Sequence, residues 1–219
     1  MARISLVIPA YNEDRYLPRL LDTVDAARAR FAERGGTVEV IVADNLSTDA
    51  TARIAAERGC RGVPVTTRNI GAVRNGGARA ATGEIVAWVD ADHRIHPDTF
   101  VAVDELMRSD RVVGGSSGAT LERWSLGLAL TYAIMVPMVW LTGFDTGVVF
   151  CRRADFEAIG GYDERWKVAE DVMWLVALRR YGKARGQKLV RARRIKVVAS
   201  TRKFDEHGDW HYFWFLLTA

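Results

Sequence analysis

Cysteine is scarce in this chain. Cys60 and Cys151 are its only two, too few for a disulfide scaffold or a four-cysteine zinc site. Proline numbers five, and no low-complexity tract repeats, which excludes a collagen-like or linker protein. Both common phosphate loops are missing. No Gly-x-Gly-x-x-Gly and no Gly-Lys-Ser/Thr occurs, although Gly71 and Asn75-Gly76-Gly77 sit in a glycine-rich stretch. A dinucleotide fold and a P-loop nucleotidase are therefore rejected. The amino terminus, Met-Ala-Arg, runs straight into a strand-like segment, so no secretory leader is expected and the reading is of a cytoplasmic domain.

What is present is a chain of 219 residues, 49% hydrophobic and 26% charged. That suits one α/β domain with a real core and excludes a disordered chain. The net charge of +4 hides a division. Residues 179–203 hold eleven Arg or Lys and no Asp or Glu, which leaves 20 of the 31 basic residues against all 27 acidic ones elsewhere, a net of −7. An anionic membrane surface or plain solvent suits that basic block. Nucleic acid does not, because neither a recognition fold nor interleaved aromatics accompany it.

Hydrophobic periodicity alternates between strand and helix along the first half. Strands are expected at 4–9, 38–43, 63–67 and 84–89, with helices at 13–34, 47–58 and 69–82 between them. Such alternation implies a parallel sheet with crossover helices. Ligands of such sheets sit at the carboxyl ends of the strands. Those ends carry Pro9–Glu13, Asp44-Asn45, Arg68-Asn69 and Asp90–Asp92, so these residues are expected at one site. Further on, 97–109 reads as helix, 112–119 and 147–151 as strands, and 169–181 as an amphipathic helix. Between them, Trp124–Phe144 runs for 21 residues without a charge. Gly127, Pro137 and Gly143 suggest two short helical pieces, and a membrane crossing here would separate Asp92 from Asp171. Aromatic residues here (Trp124, Tyr132, Trp140, Phe144) and in the tail (Trp210, Tyr212, Phe213, Trp214) suit either core packing or a membrane interface.

Asp90-Ala91-Asp92 directly follows a buried strand. Two carboxylates at such a place can hold Mg²⁺ or Mn²⁺, which favour oxygen ligands and complete their shell with water and substrate phosphates. On its own Asp-x-Asp is a weak motif, equally at home in a solvated loop. Glu170-Asp171 opens a helix, where acidic side chains also offset the helix dipole by about 0.3–1 kcal/mol.

An ordered series of segments carries more than any one of them. It comprises Ile8-Pro9-Ala10-Tyr11-Asn12-Glu13, Val42-Ala43-Asp44-Asn45 through Thr51, Arg68-Asn69-Ile70-Gly71 with Arg74-Asn75-Gly76-Gly77-Ala78, and Ala81-Thr82-Gly83-Glu84. Asp90-Ala91-Asp92, Gly160-Gly161-Tyr162-Asp163-Glu164 and Glu170-Asp171-Val172-Met173-Trp174 complete it. In this series the chain resembles the family 2 glycosyltransferases, which have the GT-A fold, a Rossmann-like, mainly parallel α/β sheet flanked by helices. The resemblance implies a single domain over 1–219, with a nucleotide-sugar half (1–110) and an acceptor half (111–219) that contains the apolar segment 124–144. It implies an inverting transfer of a sugar from a nucleotide-diphosphate donor to a hydroxyl or lipid-linked phosphate acceptor, with Mn²⁺ or Mg²⁺ as cofactor.

The same resemblance assigns residues. Pro9, Tyr11 and Glu13 would line the base and ribose pocket, and Asp44 would accept a hydrogen bond from the base. Asn45 stands where many relatives carry a second Asp. Asn69, Gly71 and Arg74 would lie along the nucleotide, with Arg74 and Arg202 toward the diphosphate. Asp90 and Ala91 would face ribose or sugar, and Asp92 would bind the metal, with His207 as a second metal or phosphate ligand. Asp171 would be the general base, and Gly147, Glu170 and Trp174 would face the acceptor. The rival readings are a sugar-phosphate nucleotidyltransferase, which normally carries an N-terminal glycine-rich loop absent here, and a non-catalytic nucleotide-sugar-binding membrane adaptor.

Overall fold

The computed structural model describes residues 2–142, 145, 147–166, 169–210 and 213, and only the backbone over 135–142. The side chain of Trp140 and all of Phe144, Tyr212 and Trp214 lie outside the described residues.

A sheet ordered β3-β2-β1-β4-β6-β5-β7 forms the framework. Its strands are β1 (Ile4–Ala10), β2 (Val38–Asp44), β3 (Arg61–Pro64), β4 (Ile85–Trp88), β5 (Val112–Leu121), β6 (Val149–Arg152) and β7 (Lys188–Ala199). The first four pair in parallel, as the alternating pattern requires; β6 runs antiparallel to both β4 and β5, and β7 pairs in parallel with β5. Side chains of the central strands alternate between two cores. Ile4, Leu6 and Ile8 of β1 enter one, with Leu17, Leu20, Leu21, Val24 and Phe31 of α1 (Leu17–Ala32) and Phe100, Val103 and Met107 of α4 (Thr99–Met107). Val7 and Trp88 enter the other, with Ala78 of α3 (Ile70–Arg79), Phe156 of α6 (Arg153–Ile159) and Trp174, Leu175 and Leu178 of α7 (Glu170–Ala184). Gly77 lets α3 press onto the sheet, since a Cβ there would lie 2.4 Å from Val7 Cγ1.

Several boundaries shift for local reasons. Helix α1 begins at Leu17 rather than residue 13, because the backbone N–H groups of Asn12, Glu13 and Asp14 bond to side chains of Ser47, Thr51 and Asp49. This interlocks the loop after β1 with the loop before α2 (Thr51–Glu57). Strand β3 ends at Pro64, earlier than expected, while Val65 still donates to the Asp44 carbonyl at 2.8 Å. The apolar segment forms one helix, α5 (Leu126–Thr142), instead of two pieces. Gly127 falls in its first turn, and Pro137 is carried within it. Among the described residues no helix is long and apolar enough to cross a membrane.

The basic block divides between the end of α7, strand β7 and the start of α8 (Arg202–His207). Strand β7 is an edge of the sheet, and Lys188, Arg193, Arg194 and Lys196 on it are exposed. Charges of this kind keep an open edge from pairing with another chain.

Candidate active site

The carboxyl ends of β1, β2 and β4 open onto one cleft of about 610 Å³. Its lining includes Pro9, Tyr11, Glu13, Asn45, Arg68, Asn69, Arg74, Asp90, Ala91, Asp92, Glu170, Arg202 and Lys203. The expected convergence of strand ends therefore occurs, with the starts of α7 and α8 added from the second half of the chain.

Two loops shape the nucleotide side. Asn12 and Leu46 adopt left-handed backbone, with φ of 54° and 59°. At Asn12 the side-chain oxygen accepts from Thr48 N at 2.8 Å, which compensates that conformation. Tyr11 stands 48% exposed at the cleft mouth, with the Arg68 guanidinium 5.9 Å from its ring centre. Asp44 turns back into its own loop and accepts from Ser47 N at 3.2 Å, so it stays outside the lining while Asn45 enters it. The Asn45 amide donates to the carbonyls of Val65 (2.7 Å) and Thr67 (3.0 Å). A carboxylate could not do this.

At the centre, Arg74 is 6% exposed. One nitrogen donates to Glu170 at 2.7 Å and another to Asp90 at 2.8 Å, with the Tyr162 ring centre 5.5 Å away. Burial opposes the charge on Arg74, yet Asp90, Tyr162, Asp171 and Glu170 together keep it firmly protonated. Burial alone would lift the pKa of Asp90; attraction to Arg74 and His93 outweighs that and holds it below its ordinary value. Arg74 was expected against the diphosphate. It lines the cleft, and its fork engages two carboxylates, joining the Asp90 loop to the start of α7.

A second arginine bridges the other carboxylates. Arg202 sends two nitrogens to the two oxygens of Glu13, each at 2.7 Å, and its Nε to Asp92 Oδ2 at 3.0 Å, while lying 5.0 Å from the Tyr16 ring centre. Glu13 is only 7% exposed. Its burial pushes its pKa up, against the pull of Arg202.

The remaining expected residues divide. Asn69 caps α3, accepting from Ala72 N at 3.0 Å and donating to the Glu164 carbonyl at 2.9 Å. Gly71 is buried beside that same loop, where a Cβ would stand 3.5 Å from Tyr162 Cβ, and it does not line the cleft. Asp171 is half-buried in the first turn of α7, next to Glu170, with Oδ1 accepting from Val172 N at 2.8 Å. Ala169, at φ 57°, precedes it. Trp174 is 2% exposed and stacks on Tyr162 with ring centres 5.0 Å apart, so it belongs to the second core and does not line the cleft. Gly147 is buried against β5, where a Cβ would meet Ser117 Oγ at 2.5 Å. His207 is exposed at the end of α8, its Nδ1 3.0 Å from the Lys203 carbonyl and outside the cleft lining. Arg68 was expected at the site only as a strand-end residue, Lys203 was passed over as a cleft cation, and Tyr16 as the surface beneath Arg202. Lys203 adjoins a residue already singled out; nothing in the sequence marks Tyr16.

Among the described residues no three His, Cys, Asp or Glu side chains gather as a metal cage. Mg²⁺ and Mn²⁺ are commonly held by one or two carboxylates together with substrate phosphates and water. Asp92, 14% exposed in the cleft wall, is a hard oxygen donor of the right kind.

A mainly parallel α/β sheet with acidic and basic side chains at its strand ends defines an α/β domain of the class that binds its ligand at the carboxyl edge of the sheet. Comparison with known proteins narrows that class. The pattern of the family described as "Glycosyl transferase family 2" matches residues 5–154, and the chain belongs to that family. It is 30% identical over 118 residues to an uncharacterised glycosyltransferase of Nostoc, covering 51% of this chain and 35% of the relative. It is 38% identical over 96 residues to a 4,4'-diaponeurosporenoate glycosyltransferase of Staphylococcus haemolyticus, covering 41% of this chain and 24% of the relative. The chain thus spans about a third or less of these relatives' length. Among solved structures, it is similar to a mannosyltransferase of Pyrobaculum calidifontis in complex with GDP-Man and Mn²⁺. There the TM-score is 0.70 at 20% identity, over 90% of this chain and 56% of that one. The glucosyl-3-phosphoglycerate synthase of Mycobacterium tuberculosis, in complex with Mn²⁺, UDP and phosphoglyceric acid, matches with a TM-score of 0.65 at 20% identity, over 99% of this chain and 78% of that one. The fold is GT-A.

Proposed function

We propose that this chain transfers a sugar from a UDP- or GDP-linked donor to a hydroxyl or lipid-linked phosphate acceptor, with inversion and with Mn²⁺ or Mg²⁺ as cofactor. The carrying observation is the cleft itself, in which Asp90 and Asp92 at the end of β4 face the cations Arg68, Arg202 and Lys203. That is the charge pattern a metal-bound nucleoside diphosphate requires.

Pro9 and Tyr11 would flank the base, with the exposed ring of Tyr11 as a stacking face. Asp90, oriented by Arg74, would receive hydrogen bonds from ribose or sugar hydroxyls. Asp92 would hold the cation, which when bound neutralises charge developing on the leaving diphosphate. Arg202 and Lys203 would face that same charge. Asp171 would take the acceptor's hydroxyl proton as its oxygen bonds to the anomeric carbon and the bond to the diphosphate breaks. A single displacement of this kind inverts the anomeric centre. Should the acceptor be a phosphate, already ionised, Asp171 would orient it instead.

The lipid-linked acceptor is supported by α5, where Leu126, Leu130 and Ile134 on one face are 69%, 39% and 43% exposed, near Trp124 at 54%. Sedimentation with anionic vesicles at low and high salt tests this surface, and absence from the pellet at low salt counts against it.

Calorimetry with UDP and GDP in the presence of Mn²⁺ tests the donor assignment. One of them is expected to bind the wild type, and Asp92→Asn should remove the Mn²⁺-dependent part of that affinity. Undiminished Mn²⁺-dependent binding by the variant would remove Asp92 as the ligand. Asp171→Asn should leave donor binding intact and stop transfer to a hydroxyl.

A further inference from the structure

Glu13 would be counted among the nucleoside-binding residues by its place after β1, but its surroundings describe another task. Both carboxylate oxygens lie in the fork of Arg202, each at 2.7 Å, and the residue is 7% exposed. Glu13 borders the cleft, but both of its oxygens are already engaged. Its own backbone is fixed as well: Glu13 N donates to Thr51 Oγ1 at 2.7 Å, and that hydroxyl in turn bonds to Asp49 Oδ1 at 2.6 Å. On the far side, Thr201 is 1% exposed and its N–H donates to Glu122 at 3.0 Å, which anchors the backbone just before Arg202. Tyr16 supports the guanidinium from one face.

Arg202 is therefore held at its base by Thr201, along its plane by Tyr16 and at its tip by Glu13. Two of its nitrogens are engaged by Glu13, and its Nε points at Asp92. We propose that Glu13 is a positioning residue, which aims the Nε edge of Arg202 at the place where the donor diphosphate meets Asp92 and makes no contact of its own with the nucleoside. The sequence separation of 189 from Glu13 to Arg202 means that this one ion pair ties the loop after β1 to the start of α8. A bidentate arginine–carboxylate pair fixes orientation as well as charge, which a lone surface arginine would lack.

This assignment rests on the donor reading above, and a double-mutant cycle separates the two. Binding of UDP and GDP with Mn²⁺, and of uridine and guanosine, is measured calorimetrically for the wild type, Glu13→Gln, Arg202→Ala and the double variant. Glu13→Gln is expected to weaken diphosphate binding about tenfold, and the double variant should be no weaker than Arg202→Ala alone. Nucleoside binding should stay within about twofold of wild type in all four proteins. Additive losses, or a loss of nucleoside binding in Glu13→Gln as large as the loss for the diphosphate, would overturn the assignment alone. A wild type that binds neither diphosphate would bring down the donor reading, and this assignment with it. If Glu13→Gln does not fold, Glu13→Asp, which keeps the charge and shortens its reach, replaces it in the same cycle with the same criteria.

Discussion

Replacing Arg74 with methionine should cost this protein about 3 kcal/mol of stability. Arg74 is buried and holds two carboxylates that would otherwise face each other without compensation, Glu170 and Asp90. Removing one partner of a buried ion pair costs about 3–5 kcal/mol, because the charge left behind stays desolvated. The Glu170 side chain is 12% exposed and pays nearly in full, whereas that of Asp90 is 42% exposed and is partly screened. The lower end of the range therefore applies. About 3 kcal/mol is roughly 150-fold in the folding equilibrium and about 6–12 °C in Tm for a domain of this size. Urea unfolding followed by tryptophan fluorescence would read it, since Trp88 donates to the Arg74 carbonyl at 3.3 Å. The denaturant slope should be unchanged. The sign of a second substitution is the sharper test. Glu170→Gln should destabilise the wild type by about 1–2 kcal/mol, because a charge-assisted bond becomes a weaker one. In Arg74→Met it should instead restore about 1 kcal/mol, because it removes an orphaned charge. A loss below about 1 kcal/mol for Arg74→Met, or the same sign for Glu170→Gln in both backgrounds, would refute this account of the clamp.

Acid should loosen the same clamp. Asp90 titrates below its ordinary 3.8, so the unfolded chain takes up protons first. Its stabilisation is present above about pH 4 and is lost as pH falls through the native value. Glu13, whose pKa is raised above 4.5, works in the opposite sense, with its contribution falling as pH rises through its native value. Comparing urea midpoints of the wild type and Arg74→Met between pH 6 and pH 3 isolates the Asp90 part, which should be missing from the variant. Asn45→Asp should cost about 1–3 kcal/mol, more than Asn45→Ala, because it aims a carboxylate oxygen at two carbonyls the amide now satisfies. Equal losses for the two variants would show that the paired carbonyls are immaterial. Gly77→Ala should cost about 1–3 kcal/mol by overpacking against Val7, and Val7→Ala in the same chain should recover part of it in thermal melts.

The framework was legible because its signals are local. Each strand of the first half is a short apolar run, and each ends in the polar residues that now line the cleft, so periodicity located Asp90, Asp92, Asn69 and Tyr11 at one edge without any long-range information. Antiparallel β6 and the helix α6 that follows it were less accessible. Their neighbours in the sheet and the core come from distant parts of the chain, and nothing at 149–159 distinguishes an antiparallel strand from a parallel one.

The site's residue types were legible in the same way, while their tasks were not. An arginine near a nucleotide site reads as a phosphate ligand whether it faces solvent or is buried between carboxylates. Arg74 lies 16 residues before Asp90 and 96 before Glu170, so only the packing of α7 against α3 reveals that its fork is already engaged. Asp44 and Asn45 make the same point over a shorter distance. Adjacent residues on a strand end point to opposite sides, so one closes its own loop on Ser47 while the other reaches the carbonyls of the next segment. The strand end could be read from the sequence, but the parity of each residue on it depended on where β2 stopped. Arg202 combines both problems. It comes from the far end of the basic block and meets Glu13 only because β7 pairs with β5 in parallel and delivers α8 to the carboxyl edge of the sheet. The charge of that block is thus read residue by residue: the edge strand uses it against pairing with another chain, and at Arg202 it becomes one half of a clamp on Glu13.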